Sequence, residues 1–303
     1  MKTKKSSRRV FLRKSAGLTA GAGMGLFAMP GCVSSGNKSE KKTEKTKREL
    51  VIDSMMHLEV YKNDNYGEYW PGMEEEILQY YDAAGIDKGV ILTTWTPSRE
   101  SNDRTLRVYN KYPDRFIPFG HVRPVDKDWE NELKRISKPP WKGLKLHEGE
   151  LKVGGKLREN TLMILTKVAE YGIPVVKIHL QKWPIVQEIV KIFKEITFIF
   201  PHMGAYNDPE STHVKDFCEL AREKENVYLD TAGFANYWEF PEWFHLAGIE
   251  NICFASDGFY LSPLVEIAKV RTVGMPTPTR KNRLNKEQLD KILGGNIIRI
   301  LKL

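Results

Sequence analysis

Short apolar runs alternate with longer stretches of helical periodicity from residue 50 to residue 303. The apolar runs predict β-strands at residues 50–55, 89–93, 116–122, 143–147, 174–179, 197–202, 226–231 and 251–257. Helical patterns lie between them, for example at residues 73–84, 160–171, 185–194 and 263–273. This alternation predicts an α/β fold with one domain over residues 49–303, a (β/α)₈ TIM barrel. An open doubly wound sheet is the alternative, but no glycine-rich nucleotide-binding fingerprint supports it.

The first 31 residues have the features of an export signal. Arg8 and Arg9 stand directly before Val10-Phe11-Leu12, which is the pattern of a twin-arginine signal peptide. The apolar stretch that follows, residues 16–29, is shorter than the roughly 20 residues that a transmembrane helix needs. Residues 1–31 are therefore predicted to be a twin-arginine signal peptide.

Cys32 marks the end of this predicted signal peptide. A glycine directly before a cysteine at the end of an apolar stretch resembles a lipoprotein cleavage site, which predicts lipidation of Cys32. Residues 32–48 then form a polar tether with too few apolar residues to fold. We expect a lipoprotein that is exported by the twin-arginine route, anchored in a membrane, and exposed to the periplasm or the cell exterior.

The positive charge of the chain is concentrated before the predicted barrel. The net charge is +8 at pH 7, but residues 1–50 hold thirteen Lys and Arg against three acids. Residues 51–303 therefore carry a small net negative charge, which argues against a nucleic-acid-binding domain. After Cys32 only Cys218 and Cys253 remain, so no disulfide framework is expected. Cys253 falls in a predicted strand and is expected to be a small buried side chain.

Polar side chains stand at or just beyond the ends of six predicted strands: His57, His121, His147, His179, His202 and Asp257. In a TIM barrel the C-terminal ends of the strands meet at one face, where active sites lie. One such histidine would have an ordinary structural explanation. Because buried polar groups are costly unless they are paired, six together indicate a functional site. The other histidines, His213 and His245, fall in predicted helices and are expected at the surface.

Two lysines hold equivalent positions on neighbouring predicted strands. Alternation along residues 143–147 puts Lys145 and His147 on one face and the leucines on the other, and residues 175–179 repeat the pattern. If the aliphatic face meets the helices, Lys145 and Lys177 point into the barrel and need carboxylate partners, for which the candidates are Asp53, Asp230 and Asp257. Two roles remain open: a structural ion-pair network, or a cation that binds a substrate carboxylate or stands in the place of a metal.

Several segments resemble the amidohydrolase-2 family across nearly all of residues 50–303. FASDG at residues 254–258, followed by the Gly-Gly-Asn pattern within residues 292–301, is similar to the family's last barrel strand and closing helix. GLKLH at residues 143–147 and PHMG at residues 201–204 resemble its fourth and sixth strands. The family consists of TIM-barrel hydrolases and decarboxylases, mostly metal-dependent, so the resemblance implies an enzyme on this fold.

The resemblance also implies a metal site. The family carries His-x-His on the first strand, one His on each of the fifth and sixth strands, and an Asp on the eighth. In this chain His57, His179 and Asp257 would hold one divalent metal, Zn²⁺ or Mn²⁺. Asp257 or His202 would move the proton. The other inward polar residues are predicted to bind substrate: Lys145, His147, Lys177 and His121.

Two positions depart from the family pattern. Met55 stands where the first His of the pair is expected, and a thioether is a poor ligand for Zn²⁺ or Mn²⁺. His179 comes one residue later than usual and leaves Ile178 in the expected place, but an isoleucine cannot be a ligand. The implied reaction is attack of a metal-activated water on an ester, lactone or amide of a small carboxylated or cyclic substrate.

Two other functions remain open. The same barrel could act without a metal as a hydrolase or decarboxylase, with Lys145 or Lys177 polarising the substrate. The pair His57 and Asp257 would then exchange protons. Alternatively, the substitution at Met55 could mark a non-catalytic lipoprotein that binds a small molecule. Each of these proteins could also form a homo-oligomer.

Overall fold

The computed structural model describes residues 49–62, 65–205, 213–275 and 283–303. The predicted signal peptide, the lipidation site Cys32 and the tether lie outside the described residues, so they stay predictions. Within the described ranges, no helix combines the length and the apolar character needed to cross a membrane.

The described strands build the predicted TIM barrel. Eight parallel strands follow one another around the sheet in chain order: β1 Ile52–His57, β4 Lys88–Leu92, β5 Phe116–His121, β6 Gly143–His147, β7 Val175–His179, β8 Thr197–Phe200, β9 Val227–Asp230 and β10 Ile252–Cys253. The short strands β2 Val60–Lys62 and β3 Asn65–Glu68 form a separate antiparallel pair. Backbone hydrogen bonds join β1 to the chain after β10, from Ser54 N–H to the Phe254 carbonyl and from Asp257 N–H to the Met55 carbonyl, both at 2.9 Å.

Helices follow the strands and cover the outside of the barrel. They are α1 Met73–Ala84, α2 Ser98–Lys111, α3 Trp129–Ile136, α4 Glu148–Leu151, α5 Leu157–Glu170, α6 Trp183–Ile192, α7 His213–Glu223, α8 Phe240–Ala247, α9 Pro263–Thr272, α10 Lys286–Asp290 and α11 Asn296–Leu301. Gly85 ends α1 with a φ of 68°, a left-handed conformation that glycine adopts readily and that turns the chain toward β4. The predicted strands and helices are confirmed, with ends shifted by a few residues.

Alternation along the strands separates an outer apolar layer from a polar interior. Leu144 and Leu146 of β6 belong to the apolar layer between the strands and the helices. Lys145 on the opposite face is 1% exposed, and Lys177 in the equivalent position on β7 is fully buried. Both lysines reach side chains of β1 across the interior, so the prediction that they point into the barrel is confirmed.

The last strand is shorter than the sequence predicted. β10 covers only Ile252–Cys253, whereas the prediction extended it to residue 257. Asp257 adopts a φ of 56°, a left-handed conformation that is uncommon for residues other than glycine and that is incompatible with a continued strand. His202, just after β8, has a φ of 60°. Such conformations are costly and tend to cluster at functional sites.

Asp53 connects the two edges of the sheet where the barrel closes. Its carboxylate accepts hydrogen bonds from the backbone N–H groups of Met55 and Ser256, from the Ser256 hydroxyl, and from the Tyr81 hydroxyl at 2.9 Å. Burial nevertheless raises the pKa of Asp53 to about 6, because these hydrogen bonds offset only part of the cost of an ionised group in the interior.

Replacement of Asp53 by Asn is expected to remove a pH dependence of unfolding. The native pKa of about 6 lies above the ordinary value of 3.8, so the folded protein binds this proton more tightly than the unfolded chain. The wild type should therefore lose on the order of 3 kcal/mol of stability from this group as the pH rises from 3.8 through about 6. Urea unfolding at several pH values measures the slope of the free energy of unfolding against pH, with the exposed Asp114→Asn as control. Equal slopes for wild type and Asp53→Asn would contradict the assignment.

Candidate active site

The C-terminal end of the barrel opens into a pocket of about 400 Å³. Six of the site residues predicted from the sequence line it: His57, Lys145, His147, His179, His202 and Asp257. The wall is completed by Thr94, Trp95, Glu148, Gly149, Lys152, Gln181 and Tyr260. The polar side chains come together because the ends of parallel strands meet at one face of a closed barrel.

His57, the last residue of β1, lies between two carboxylates. Its Nε2 is 3.2 Å from Oδ1 of Asp257, and its Nδ1 is 3.6 Å from Oε1 of Glu59. The ring of Tyr260 stands edge-on to the imidazole at a centroid distance of 4.9 Å. Burial acts to lower the pKa of His57, but the two carboxylates outweigh it and raise the pKa above its ordinary value. The surroundings therefore favour the imidazolium form.

Both carboxylates beside His57 are held in place by the barrel. Burial of Asp257 acts to raise its pKa, but the hydrogen bond with His57 and nearby positive charge hold the pKa below its ordinary value. Glu59 is fully buried and accepts hydrogen bonds from the backbone N–H of Thr94 and from the Thr94 hydroxyl, the latter at 2.8 Å. The pair His57–Asp257 thus stands on the pocket wall with Glu59 as a fixed support behind it.

Three further imidazoles follow one another along the wall. The ring centroids of His147 and His179 are 4.5 Å apart, and those of His179 and His202 are 5.1 Å apart. Burial lowers the pKa of all three, to about 3 for His147 and well below the ordinary value for His179. These rings are therefore neutral at pH 7 and act as hydrogen-bonding groups.

Local hydrogen bonds set the tautomers of two of these rings. Nδ1 of His147 accepts a hydrogen bond from the Gly149 N–H at 3.0 Å, so the proton of this neutral ring is on Nε2. Nδ1 of His202 is 2.8 Å from the carbonyl of Ala232, which can only accept, so Nδ1 carries the proton and Nε2 the lone pair. The pocket therefore combines an imidazole N–H donor with an imidazole nitrogen acceptor.

The two inward lysines have different partners. Lys177 donates to Asp230 Oδ2 at 2.5 Å and to Ser54 Oγ at 3.2 Å, as expected of a buried ammonium. Lys145 instead donates to the thioether sulfur of Met55 at 3.6 Å. Burial and the charge of Lys177 lower the pKa of Lys145 to about 8, which leaves it mostly protonated at neutral pH. The expectation of a carboxylate partner is met by Lys177 and not by Lys145.

Two residues predicted to bind substrate lie behind the pocket wall. Lys177 is fully buried in its ion pair with Asp230. His121 is also fully buried, with Nε2 at 2.9 Å from Oε2 of Glu150 in α4. Neither side chain lines the pocket, because each one lies deeper in the barrel and is already paired. The structure places them as supports of the wall.

Glu59 and Tyr260 contact His57 from two sides and were not predicted as site residues. Glu59 follows His57 by two residues, and Tyr260 follows Asp257 by three. The His-x-Glu spacing is a usable signal, since a carboxylate that close to a strand-end histidine can reach its ring. The position of Tyr260 depends on the turn after Asp257, which carries no comparable sequence pattern.

A family model described as amidohydrolase matches residues 53–303, which is most of the chain. The chain belongs to the amidohydrolase family. The resemblance stated from the sequence is thereby confirmed, and with it the enzyme class, since the family and the solved structures similar to this chain are enzymes. No curated protein matches the sequence.

The similar solved structures include decarboxylases and a hydratase. 5-Carboxyvanillate decarboxylase from Sphingomonas paucimobilis has a TM-score of 0.61 at 14% identity, covering 84% of this chain and 100% of that chain. 4-Oxalomesaconate hydratase from Rhodopseudomonas palustris has a TM-score of 0.60 at 17% identity, covering 84% of this chain and 96% of that chain. A 5-carboxyvanillate decarboxylase from Novosphingobium aromaticivorans, with bound manganese, has a TM-score of 0.54 at 17% identity, covering 75% of this chain and 80% of that chain. At these identities the likeness shows the shared fold.

The donor set of this chain does not fit the metal site that the family implies. Sulfur of Met55 stands in the place of the first His, with the ammonium of Lys145 beside it. Both ring nitrogens of His57 face carboxylates. In the part of the chain that the structure describes, no group of three or more His, Cys, Asp or Glu side chains is arranged to hold a metal ion. His57 and Asp257 contact each other in this arrangement, and the ligand set of His57, His179 and Asp257 stays a prediction.

Removal of either carboxylate beside His57 should lower its pKa. Glu59→Gln and Asp257→Asn each take away one carboxylate that favours the imidazolium, and the closer of the two is Asp257, at 3.2 Å from the ring. The pKa of His57 should therefore fall in each variant, and it should fall further in Asp257→Asn. NMR titration of labelled histidine side chains measures the pKa of His57, and Asp216→Asn, beside the half-buried His213, is the matched control. An unchanged pKa in both variants would refute the arrangement.

Proposed function

We propose that this chain is a decarboxylase of small hydroxylated aromatic acids. The observation that supports this most is the pair His57–Asp257, a buried proton donor on the wall of a pocket that also carries the ammonium of Lys145. Decarboxylation of such an acid requires a proton for the ring carbon and positive charge near the oxygen atoms of the substrate. The pocket supplies both.

The proposed reaction transfers one proton to carbon. The ring carbon that bears the carboxylate takes a proton from the pair His57–Asp257, and a ring hydroxyl group supplies electron density to that carbon. The bond to the carboxylate then breaks, its electron pair returns to the ring, and carbon dioxide leaves. His57 regains its proton from solvent before the next turnover, so each cycle consumes one proton.

The remaining wall residues suit a flat, polar substrate. Trp95 and Tyr260 contribute aromatic surface that can pack against a substrate ring. The Nε2 proton of His147 suits a hydroxyl or carboxylate oxygen of the substrate, and the Nε2 lone pair of His202 suits the proton of a substrate hydroxyl group. Similar decarboxylases act on 5-carboxyvanillate or on 2,6-dihydroxybenzoate, and we take aromatic acids of this kind as the first substrate class to test.

Loss of either member of the proton-donating pair should abolish turnover. We expect His57→Gln and Asp257→Asn to lower kcat by about 100-fold or more, since general acid–base groups contribute roughly 10²–10⁴-fold. Release of carbon dioxide from 5-carboxyvanillate and a set of hydroxybenzoates measures the rate. His245→Gln, an exposed histidine of α8, is the control. Variants as active as the wild type would exclude the assigned role.

Metal-assisted hydrolysis is the second candidate function. Its support is membership of the amidohydrolase family together with the manganese bound in a similar decarboxylase. In this version the substrate is an ester, lactone or amide of a small carboxylated or cyclic compound. Elemental analysis of protein purified without chelator tests it. Near-stoichiometric Zn²⁺ or Mn²⁺, lost in His57→Ala, would favour this candidate, and we expect a metal content far below one ion per chain.

We also propose export by the twin-arginine route and lipidation of Cys32. The support is the sequence alone: the arginine pair before an apolar stretch, and the glycine–cysteine step at its end. A periplasmic reporter fused to residues 1–50 should stay in the cytoplasm when Arg8 and Arg9 are both replaced by Lys. Cys32→Ser should abolish incorporation of labelled fatty acid. Unchanged export or unchanged labelling would contradict the respective proposal.

A further inference from the structure

The contact between Lys145 and Met55 distinguishes this pocket from the metal site that its family implies. Met55 is fully buried on β1. Lys145 reaches it from β6, and the strands β4 and β5 lie between β1 and β6 in the sheet. Nζ of Lys145 lies 3.6 Å from Sδ of Met55. The ammonium therefore stands beside the side chain that replaces the first expected histidine ligand.

A comparison with Lys177 shows what is unusual about Lys145. Lys177 occupies the equivalent position on the neighbouring strand and has its charge balanced by Asp230 at 2.5 Å. Within the described ranges of the chain, no carboxylate oxygen lies within 4.0 Å of the Lys145 nitrogen. A thioether is a weak acceptor and carries no charge, so it balances none of the ammonium charge. Lys145 thus brings to the pocket wall a buried ammonium on which the carboxylates of Asp257, Asp230 and Glu150 act only from beyond contact distance.

This charge has consequences for both metals and anions. A divalent cation close to Lys145 would be repelled by the ammonium, and the interior screens this repulsion poorly. The carboxylate of a substrate would give Lys145 a partner of the kind that Lys177 already has in Asp230. Because the thioether leaves hydrogen-bonding capacity of the ammonium to be filled, substrate oxygen can complete its coordination.

We propose that the ammonium of Lys145, supported by Met55, takes the place of the catalytic metal of this family and binds a carboxylate or phenolate oxygen of the substrate. This inference rests on the proposed function, because it assigns the subsite that holds the aromatic acid. It also explains why a thioether is tolerated at position 55: next to an ammonium, an uncharged soft acceptor fits where an imidazole ligand is no longer required.

Benzoate binding and metal content test the inference without any turnover assay. Titration calorimetry with sodium benzoate should show the same affinity in wild-type protein with and without EDTA. Lys145→Gln should weaken benzoate binding at least tenfold, and Lys145→Met should do the same with a side chain of similar length. The exposed Lys156→Gln should bind benzoate like the wild type. Loss of benzoate binding in EDTA and its return with Mn²⁺ would overturn the inference, even if the variants fail to fold.

A double variant provides the reverse experiment. Met55→His combined with Lys145→Gln restores the imidazole and removes the ammonium, so it should gain binding of Mn²⁺, measured by electron paramagnetic resonance. Wild-type protein should bind Mn²⁺ at least tenfold more weakly than this variant. Equal or tighter Mn²⁺ binding by the wild type would overturn the inference. Neither readout depends on decarboxylation, so failure of the proposed reaction would be seen separately, as absence of carbon dioxide release by a protein that binds benzoate.

Discussion

Closure of the barrel between β1 and the chain after β10 is the constraint on which the site depends. The backbone of Ser54 bonds to Phe254 and that of Asp257 to Met55, while Asp53 accepts hydrogen bonds from Ser256. These contacts join segments that are about two hundred residues apart in the chain. They place the carboxylate of Asp257 beside the imidazole of His57, and no local feature of either segment could do so alone.

The interior of this barrel is polar, and its stability depends on how each charge is paired. Lys177, Asp230 and Ser54 form a buried group whose charges balance, and breaking such a pair by removing one partner costs about 3–5 kcal/mol. Closer to the pocket the pairing is less direct: in the part of the chain that the structure describes, Lys145 donates to a thioether, and carboxylates such as Asp257 act on it from a distance. The same scaffold therefore has a neutralised layer that supports the walls and a charged layer that can act on a ligand.

The amidohydrolase family supplies the fold, but the chemistry is decided by a few side chains. This chain keeps the strand-end His57, His202 and Asp257 and differs at Met55. With Met55 in that place, two of the expected ligands face each other as an acid–base pair, and a lysine stands near the position of the missing donor. The departure at Met55 on β1 is thus the basis of the proposed chemistry, while the barrel around it has the family's fold.

The sequence by itself determined the barrel and most of the residues in its mouth. Strand and helix patterns are local, so alternation predicted the eight strands, the inward direction of Lys145 and Lys177, and the strand-end histidines. Partner choice is not local. Only the tertiary structure decided that Lys177 pairs with Asp230 and Lys145 with Met55, and that His121 is turned toward Glu150 behind the wall. The left-handed conformation of Asp257, four residues after the end of β10, was likewise not visible in the apolar run, because that run extends without a break to Ala255.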